Sequence, residues 1–114
     1  MQDLPLTPRV MLILWALDAG PKHGYRLLSE VEQLGRGRVS IGPASLYESI
    51  QSLRRKRWIE PAAAPTDAVS HDRRRRYFQL TTTGAGVLRA EASRLSELVD
   101  DLRSRGLIDQ VGAR

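Results

Sequence analysis

Two runs of cationic side chains are the residues of this sequence best suited to chemistry. Arg54-Arg55-Lys56-Arg57 and Arg73-Arg74-Arg75-Arg76 each place four positive charges in a row. Guanidinium groups bind phosphate oxygens through paired hydrogen bonds, so both runs suit a polyanion. Ten basic and four acidic residues lie between Arg36 and Phe78, although the whole chain carries a net charge of only +5. The excess positive charge therefore lies mid-chain, which favours one face turned to nucleic acid over an evenly solvated surface.

The remaining reactive side chains argue against an enzyme. The chain has no cysteine, which excludes disulfides, thiolate nucleophiles and cysteine-ligated zinc. Its two histidines, His23 and His71, have no metal-ligand spacing to a carboxylate, and there is no glycine-rich phosphate loop or Ser-His-Asp grouping. We therefore predict no catalytic residue, no metal and no cofactor, and we expect His23 to cap a helix.

Size and hydropathy indicate one small cytoplasmic domain. A chain of 114 residues with 41% hydrophobic residues can bury a single core. The first residues contain no basic leader, and the apolar run from Val10 to Leu17 is too short to cross a bilayer. We expect no membrane contact.

Three helices are predicted around the first basic run. Thr7-Pro8 and Gly42-Pro43 each join an N-cap residue to a proline at the first helical position. Between these two helices, residues 24–34 carry an apolar residue at every third position, namely Tyr25, Leu28, Val31 and Leu34, and Gly35 is expected to end the helix. The helix that begins at Pro43 is expected to reach about Arg57, with a buried stripe of Leu46, Ile50 and Leu53.

A β-hairpin is predicted after the third helix. The first strand is expected at residues 58–61, a polar turn at residues 62–72, and the returning strand at residues 73–80. Because successive side chains of a strand point to opposite faces, at most half of the Arg73–Arg76 run can face DNA together. Arg73 and Arg74, which lie nearer the tip, are the preferred contacts.

A long last helix is predicted from about Thr83 to Arg105. Its apolar residues follow the spacing of a coiled-coil seam, namely Leu88, Ala92, Leu95, Val99 and Leu102. So small a domain offers this seam no internal partner, and a second copy of the chain is the simplest one. Leu12 and Trp15 of the first helix are predicted to lie against that copy. The alternative is an interaction module that pairs through the seam with a different chain.

The order of elements predicts a mainly α-helical fold with a small β-hairpin, the winged helix-turn-helix. We assign residues 1–82 to this DNA-binding unit, residues 83–106 to a dimerisation helix and residues 107–114 to a tail. The third helix of such a fold reads the major groove, while the hairpin contacts the backbone or the minor groove. The residues that we predict to bind double-stranded DNA are Ser40, Gly42, Pro43, Ala44, Ser45, Ser49, Arg55, Arg73, Arg74 and Arg75.

Four motifs of the chain carry a family resemblance, namely Gly20-Pro21-Lys22-His23-Gly24-Tyr25, Ile41-Gly42-Pro43-Ala44-Ser45-Leu46-Tyr47, Arg73-Arg74-Arg75-Arg76-Tyr77-Phe78 and Leu80-Thr81-Thr82-Thr83-Gly84. They resemble the motifs of the PadR family of bacterial transcriptional regulators, in its short C-terminal subgroup. The resemblance covers about residues 6–102 and implies a homodimeric repressor on a palindromic operator. It also implies that the hydroxyl of Tyr47 reaches the DNA backbone.

The chain departs from the family pattern at two places. Glu48 stands where the family usually has proline, and residues 54–58 replace an acidic residue and part of a Gly-Leu-Ile turn. These departures leave the operator sequence open. The resemblance also implies a flat aromatic effector, and Trp15 and Trp58 could line a pocket for it. The last helix contains no aromatic residue, which favours a plain core or interface role for both indoles.

Overall fold

Four helices and a three-stranded antiparallel sheet make up residues 4–109, the part of the chain that the computed structural model describes. The chain runs through α1 (Pro8–Asp18), β1 (Lys22–His23), α2 (Gly24–Leu34), α3 (Pro43–Arg55), β2 (Ile59–Ala62), a single 3-10 turn (Asp72–Arg74), β3 (Tyr77–Leu80) and α4 (Thr82–Ser104). The sheet order is β1-β3-β2. The mainly helical class with a small hairpin is thus confirmed, and no helix among residues 4–109 is long and apolar enough to span a membrane.

α1, α2 and α3 begin at the capping residues that the sequence predicts. The Thr7 side chain accepts the N–H of Val10 at the start of α1, at 3.2 Å. The imidazole Nδ1 of His23 accepts the N–H of Arg26 at 3.1 Å, which confirms the predicted cap of α2. Such side chains satisfy backbone donors that the first helical turn leaves without a partner.

Two helices end at arginines in the left-handed conformation, where glycine is the usual residue. After α3, the N–H of Trp58 bonds to the carbonyl of Leu53 while Arg57 adopts a φ of 61°. α3 therefore ends at Arg55, two residues before the predicted end. After α2 the left-handed residue is Arg36 at a φ of 56°, one position beyond the predicted cap Gly35.

The sheet contains one strand that the sequence did not indicate. β1 is only two residues long, and it pairs with β3 through Lys22 opposite Phe78 and His23 opposite Tyr77. A segment this short carries no alternation of polar and apolar residues. β1 attaches the start of α2 directly to the hairpin of β2 and β3, which we call the wing.

The returning strand of the wing is shorter than predicted. β3 begins at Tyr77 and not at Arg73, and Asp72–Arg74 form the 3-10 turn that precedes it. The arginine run is therefore not part of the paired strand. The expectation that its side chains alternate between two faces is wrong, because the local turn determines where each arginine side chain points.

The core lies between α1, α2, α3, the first half of α4 and the sheet. Its fully buried side chains include Ile13, Leu14, Leu27, Val31, Leu46, Ile50, Leu53, Ile59, Phe78 and Val87. The predicted stripe of α3 is among them. Leu12 is only 7% exposed and packs in this same core. Its predicted place against a second chain is therefore corrected, because its own chain already covers the side chain.

α4 is held to the core by its first half only. Its buried residues are Gly84, Val87 and Glu91, whereas Leu98 and Leu102 further along are exposed. Gly84 lies directly against the backbone carbonyl of Trp58, at the point where β2 begins. A helix of 23 residues is about 34 Å long, so much of the second half extends beyond the core.

Candidate nucleic-acid interface

The outward face of α3 is exposed to solvent. Its exposed residues recur every three or four positions, at Ala44, Tyr47, Glu48, Gln51 and Arg55. Gly42 caps the helix without a side-chain hydrogen bond, so the first backbone N–H groups are open to an acceptor such as a phosphate. This face carries amide, carboxylate, phenol and guanidinium groups, which are the groups that contact base edges and phosphates.

The predicted contacts in and before α3 separate into two groups. Ser40, Gly42, Pro43, Ala44 and Arg55 are exposed and could reach a ligand directly. Ser45 and Ser49 are half-buried on the side of α3 nearest the N-terminal segment, where Ser49 borders clefts with Thr7 and Val10.

A neighbouring cleft adds two cations to the α3 side of the interface. Arg9 and Arg38 border it together with Ser40 and Ser49. Sequence reasoning did not assign Arg9 to the interface, because a single arginine in an apolar helix gives no local signal. Its nearness to Arg38 arises only from the packing of α1 beside the loop before α3.

The Tyr47 ring is partly held by packing between α3 and α2. A methyl group at Gly24 would stand 3.5 Å from the phenol oxygen of Tyr47, so the ring lies against the start of α2. Tyr47 nevertheless remains 48% exposed. The resemblance-based role at the DNA backbone stays a prediction, and the packing explains how the ring would be oriented for it.

The Arg73 side chain stabilises the turn of the wing. Its Nε donates to the carbonyl of Ala68 at 2.9 Å, and its Nη2 donates to the carbonyl of Thr66 at 3.4 Å. One guanidinium thus joins the turn between β2 and β3 to the 3-10 turn. Its forked geometry serves this role better than a lysine ammonium would.

Arg75 and Asp72 attach the wing to the start of α2. Arg75 Nε donates to Asp72 Oδ1 at 3.0 Å, and its guanidinium lies 5.2 Å above the ring centre of Tyr25. The same Asp72 oxygen is 3.9 Å from Nε2 of His23 and 3.4 Å from Nε2 of His71. Sequence reasoning placed Tyr25 on the apolar face of α2, yet it is 69% exposed and supports Arg75 instead.

The environment of His23 favours the neutral imidazole. Burial lowers the pKa of His23 below its ordinary value, and the positive charge of Arg75 adds to this effect while Asp72 opposes it. A neutral ring keeps Nδ1 available to accept the N–H of Arg26. Because the pKa is lowered, His23 is protonated only when the pH falls below the ordinary pKa of histidine. Protonation would remove this cap, so acid should loosen the contact between α2 and the wing.

Arg74 is the wing arginine best placed to meet an external anion. It is exposed, and it has no hydrogen bond or ion pair to any of residues 4–109. Arg76 lies 5.7 Å from the ring centre of Phe78 and contacts the wing itself. The structure thus distinguishes Arg74 from Arg73 and Arg75, which the sequence grouped together. We find no cluster of metal-ligating side chains within the described residues.

The predicted dimerisation residues differ in how far this chain covers them. Leu88, Leu95 and Val99 are half-buried, while Ala92, Leu102 and Trp15 are exposed. Leu98, which widens the predicted seam, is as exposed as Trp15, at 46%. At 100° per residue, Leu95, Leu98 and Leu102 continue the face that begins at Val87 and Glu91. The chain covers the start of this stripe and leaves its second half open.

Three helices, an uncovered third helix and a basic wing define the class of winged-helix DNA-binding proteins. The family model for the "Transcriptional regulator PadR-like family" matches residues 13–90 of this chain. This protein therefore belongs to the PadR-like family of transcriptional regulators, whose members are DNA-binding proteins and not enzymes.

Solved structures of PadR regulators have the same fold. A PadR family transcription regulator from Clostridium difficile superimposes with a TM-score of 0.71 and 18% identity, over 86% of this chain and 97% of that one. A PadR-like transcriptional regulator from Bacillus cereus gives a TM-score of 0.70 at 17% identity, over 88% of this chain and 92% of the other.

A curated relative is similar in sequence. An uncharacterized 37.1 kDa protein in transposon TN4556 of Streptomyces fradiae is 33% identical over 101 residues. This stretch is 89% of the present chain but only 27% of the relative. The chain thus spans about a quarter of the length of that protein.

Proposed function

We propose that this protein is a homodimeric repressor that binds a palindromic operator. The proposal rests on the two surfaces that the chain leaves uncovered, which are the outward face of α3 with the wing and the second half of the α4 stripe. Exposed leucines on one helix face are typical of a protein interface. A symmetric pair of such chains would present two α3 helices to successive major grooves, about one helical turn apart.

Binding to a palindrome tests this function directly. Gel-shift titrations compare DNA from around the promoter of the protein's own gene with random DNA at a fixed salt concentration. We expect one palindrome to bind at least about a thousandfold more tightly than random DNA. Equal binding to both would contradict a sequence-specific repressor, and a palindrome with half-sites at other spacings would contradict the dimer geometry.

The substitution Leu98→Asp should separate the two subunits. It places a charge on the open apolar stripe without touching the core, so we expect light scattering to change from dimer to monomer while circular dichroism stays unchanged. Operator affinity should fall at least about tenfold, because each half-site then binds alone. Ser96→Asp introduces the same charge on the exposed opposite side of α4 and should leave the dimer intact.

A different chain as partner is the alternative for the α4 stripe. If the wild-type protein is monomeric alone and forms a complex only with another protein, the homodimer is wrong and α4 serves a heterologous pairing. A wild-type dimer that survives Leu98→Asp would show that the subunits meet elsewhere.

Arg74 is expected to contact phosphate and not bases. Arg74→Ala should weaken binding to all DNA sequences by a similar factor and reduce the salt dependence by about one phosphate per subunit. Arg74→Lys should restore most of the affinity, since a phosphate needs only the charge. Arg73→Lys provides the contrast, because it retains the charge but loses the fork that joins Thr66 and Ala68. A change of preferred operator in Arg74→Ala would contradict the phosphate role.

An aromatic small molecule is the effector that this proposal includes. Trp15 supplies an exposed indole on α1, whereas Trp58 is buried beneath Lys56. Stacking on Trp15 would place such a compound beside the surface assigned to the second subunit. The effector would then act by changing the relative position of the two α3 helices.

A further inference from the structure

We infer that Glu48 determines operator specificity by accepting a hydrogen bond from the N4 amino group of a cytosine. The inference rests on the DNA-binding function proposed above. Glu48 lies in the middle of the outward face of α3, four residues after Ala44 and three before Gln51. Its side chain is exposed, and it is the only acidic residue in this helix.

Glu48 has no structural role that residues 4–109 show. The positions three and four residues away on either side are Ala44, Ser45, Gln51 and Ser52, so no cation is available for an intrahelical ion pair. No hydrogen bond or ion pair joins it to any other residue between Leu4 and Asp109. It is the sixth residue of α3, beyond the first turn in which an acid would be stabilised by the helix dipole.

An acid at this position weakens general binding to DNA. Arg38 and Arg55 border the outward face of α3 and Arg74 lies on the wing, where their positive charge attracts phosphates, and the Glu48 carboxylate repels the same groups. The residue therefore reduces affinity for every sequence unless a particular base pair offsets the repulsion. A side chain that weakens binding to most DNA sequences, but not to those with one particular base pair, is a source of specificity.

The donors in the major groove identify the base. A carboxylate accepts hydrogen bonds only, which excludes the acceptor edges of guanine and thymine. Adenine presents its N6 donor beside the N7 acceptor, which repels a carboxylate. Cytosine presents the N4 amino group alone, so it is the base that an ionised Glu48 favours. Gln51, about one turn further along the same face, has both a donor and an acceptor and would suit an adenine.

Operator libraries that vary every half-site position test the inference. The wild-type protein should prefer cytosine at one position per half-site by about tenfold to a hundredfold. Glu48→Ala should lose this preference, retain the others, and bind the remaining sequences at least as tightly as the wild type. Glu48→Gln should move the preference at that position towards adenine. Both variants should keep the wild-type melting temperature, since the side chain is exposed.

Glu32→Ala is the matched control, because it removes an exposed acid from α2 with the same change of charge. It should alter affinity equally for all sequences. The inference is overturned if Glu48→Ala retains the cytosine preference. It is also overturned if Glu48→Ala loses discrimination at a position where the wild type prefers a base other than cytosine. In both cases the repressor function stands. If the wild type shows no preference for any sequence, the proposed function fails as well.

Discussion

Gly84→Ala should lower the free energy of unfolding by roughly 3 kcal/mol. A Cβ at this position would overlap the backbone carbonyl oxygen of Trp58, and its nearest neighbours are all backbone atoms of that residue. A side chain could rotate away, but a backbone carbonyl cannot. The Trp58 oxygen also accepts the N–H of Thr81 at 3.0 Å, so moving it would strain the junction of β2 and α4. Denaturant unfolding followed by circular dichroism measures this loss.

Gly86→Ala is the control for Gly84→Ala, since both add one methyl group to α4. No atom lies within 4 Å of a Cβ at Gly86. Alanine is the better helix former, so this variant should gain about 0.5–1 kcal/mol of stability. If the free energy of unfolding changes equally and with the same sign in the two variants, α4 does not approach Trp58 as closely as described.

The close approach at Gly84 has a functional consequence. It fixes the start of α4 to the residue that follows α3 and precedes the wing. In the proposed dimer, α4 would therefore hold the two α3 helices at a defined separation. The glycine of the Leu80-Thr81-Thr82-Thr83-Gly84 motif would then determine half-site spacing from a position that contacts neither DNA nor the partner.

The helix starts could be predicted from the sequence because their signals are local. Thr7 and His23 each accept an N–H three residues later, a distance that the order of residues alone defines. Thr81 caps α4 in the same way, although the sequence placed the start of that helix at about Thr83. The short strand β1 could not be predicted in this way. It exists only because β3, more than fifty residues later, offers it a pairing edge.

The roles of the wing arginines lay beyond sequence reasoning for a related reason. Four identical side chains in a row suggest equivalent groups, and the predicted strand divided them only by alternation and by nearness to the tip. The actual division depends on contacts with the turn carbonyls, with Asp72 and with the ring of Tyr25. Only the packed fold determines which guanidinium remains available for phosphate.

Arg57 shows how a departure from the family pattern keeps the local geometry. The residue stands where the resemblance expects a glycine, and it adopts the same left-handed conformation at a cost of roughly 1 kcal/mol. The two hydrogen bonds that close α3 remain, at 3.0 Å to the Leu53 carbonyl and 2.9 Å to the Arg54 carbonyl. The sequence therefore gains a positive charge at the end of α3 without altering the path into β2.

Glu91 is the residue that sequence reasoning misplaced most clearly. The heptad spacing put it off the seam, yet it is 1% exposed. It accepts the N–H of Leu6 at 2.9 Å, and two nitrogens of Arg94 donate to it at 2.6 and 3.0 Å. Its place four residues after Val87 and four before Leu95 is the signal that could have found it, because those three positions share one helix face.

Glu91→Ala should therefore destabilise the protein by about 1–3 kcal/mol at neutral pH. The truncation leaves the half-buried N–H of Leu6 without an acceptor and Arg94 without its carboxylate. Glu91→Gln should cost less, since the amide oxygen can still accept from Leu6. Glu97→Gln, at an exposed position of α4, should change stability by less than about 0.5 kcal/mol. Urea unfolding at pH 7 compares the three variants.

The pH dependence distinguishes a charged pair from simple packing at Glu91. The hydrogen bonds from Arg94 hold the pKa of Glu91 below its ordinary value of about 4.5, against the opposing effect of burial. The ionised group therefore stabilises the fold above the ordinary pKa, and this contribution is lost as the pH falls through the lower, folded-state pKa. The stability difference between wild type and Glu91→Gln should stay constant from pH 8 to about pH 6 and shrink below pH 4.5. A difference that stays constant down to pH 3 would mean that the carboxylate charge contributes nothing.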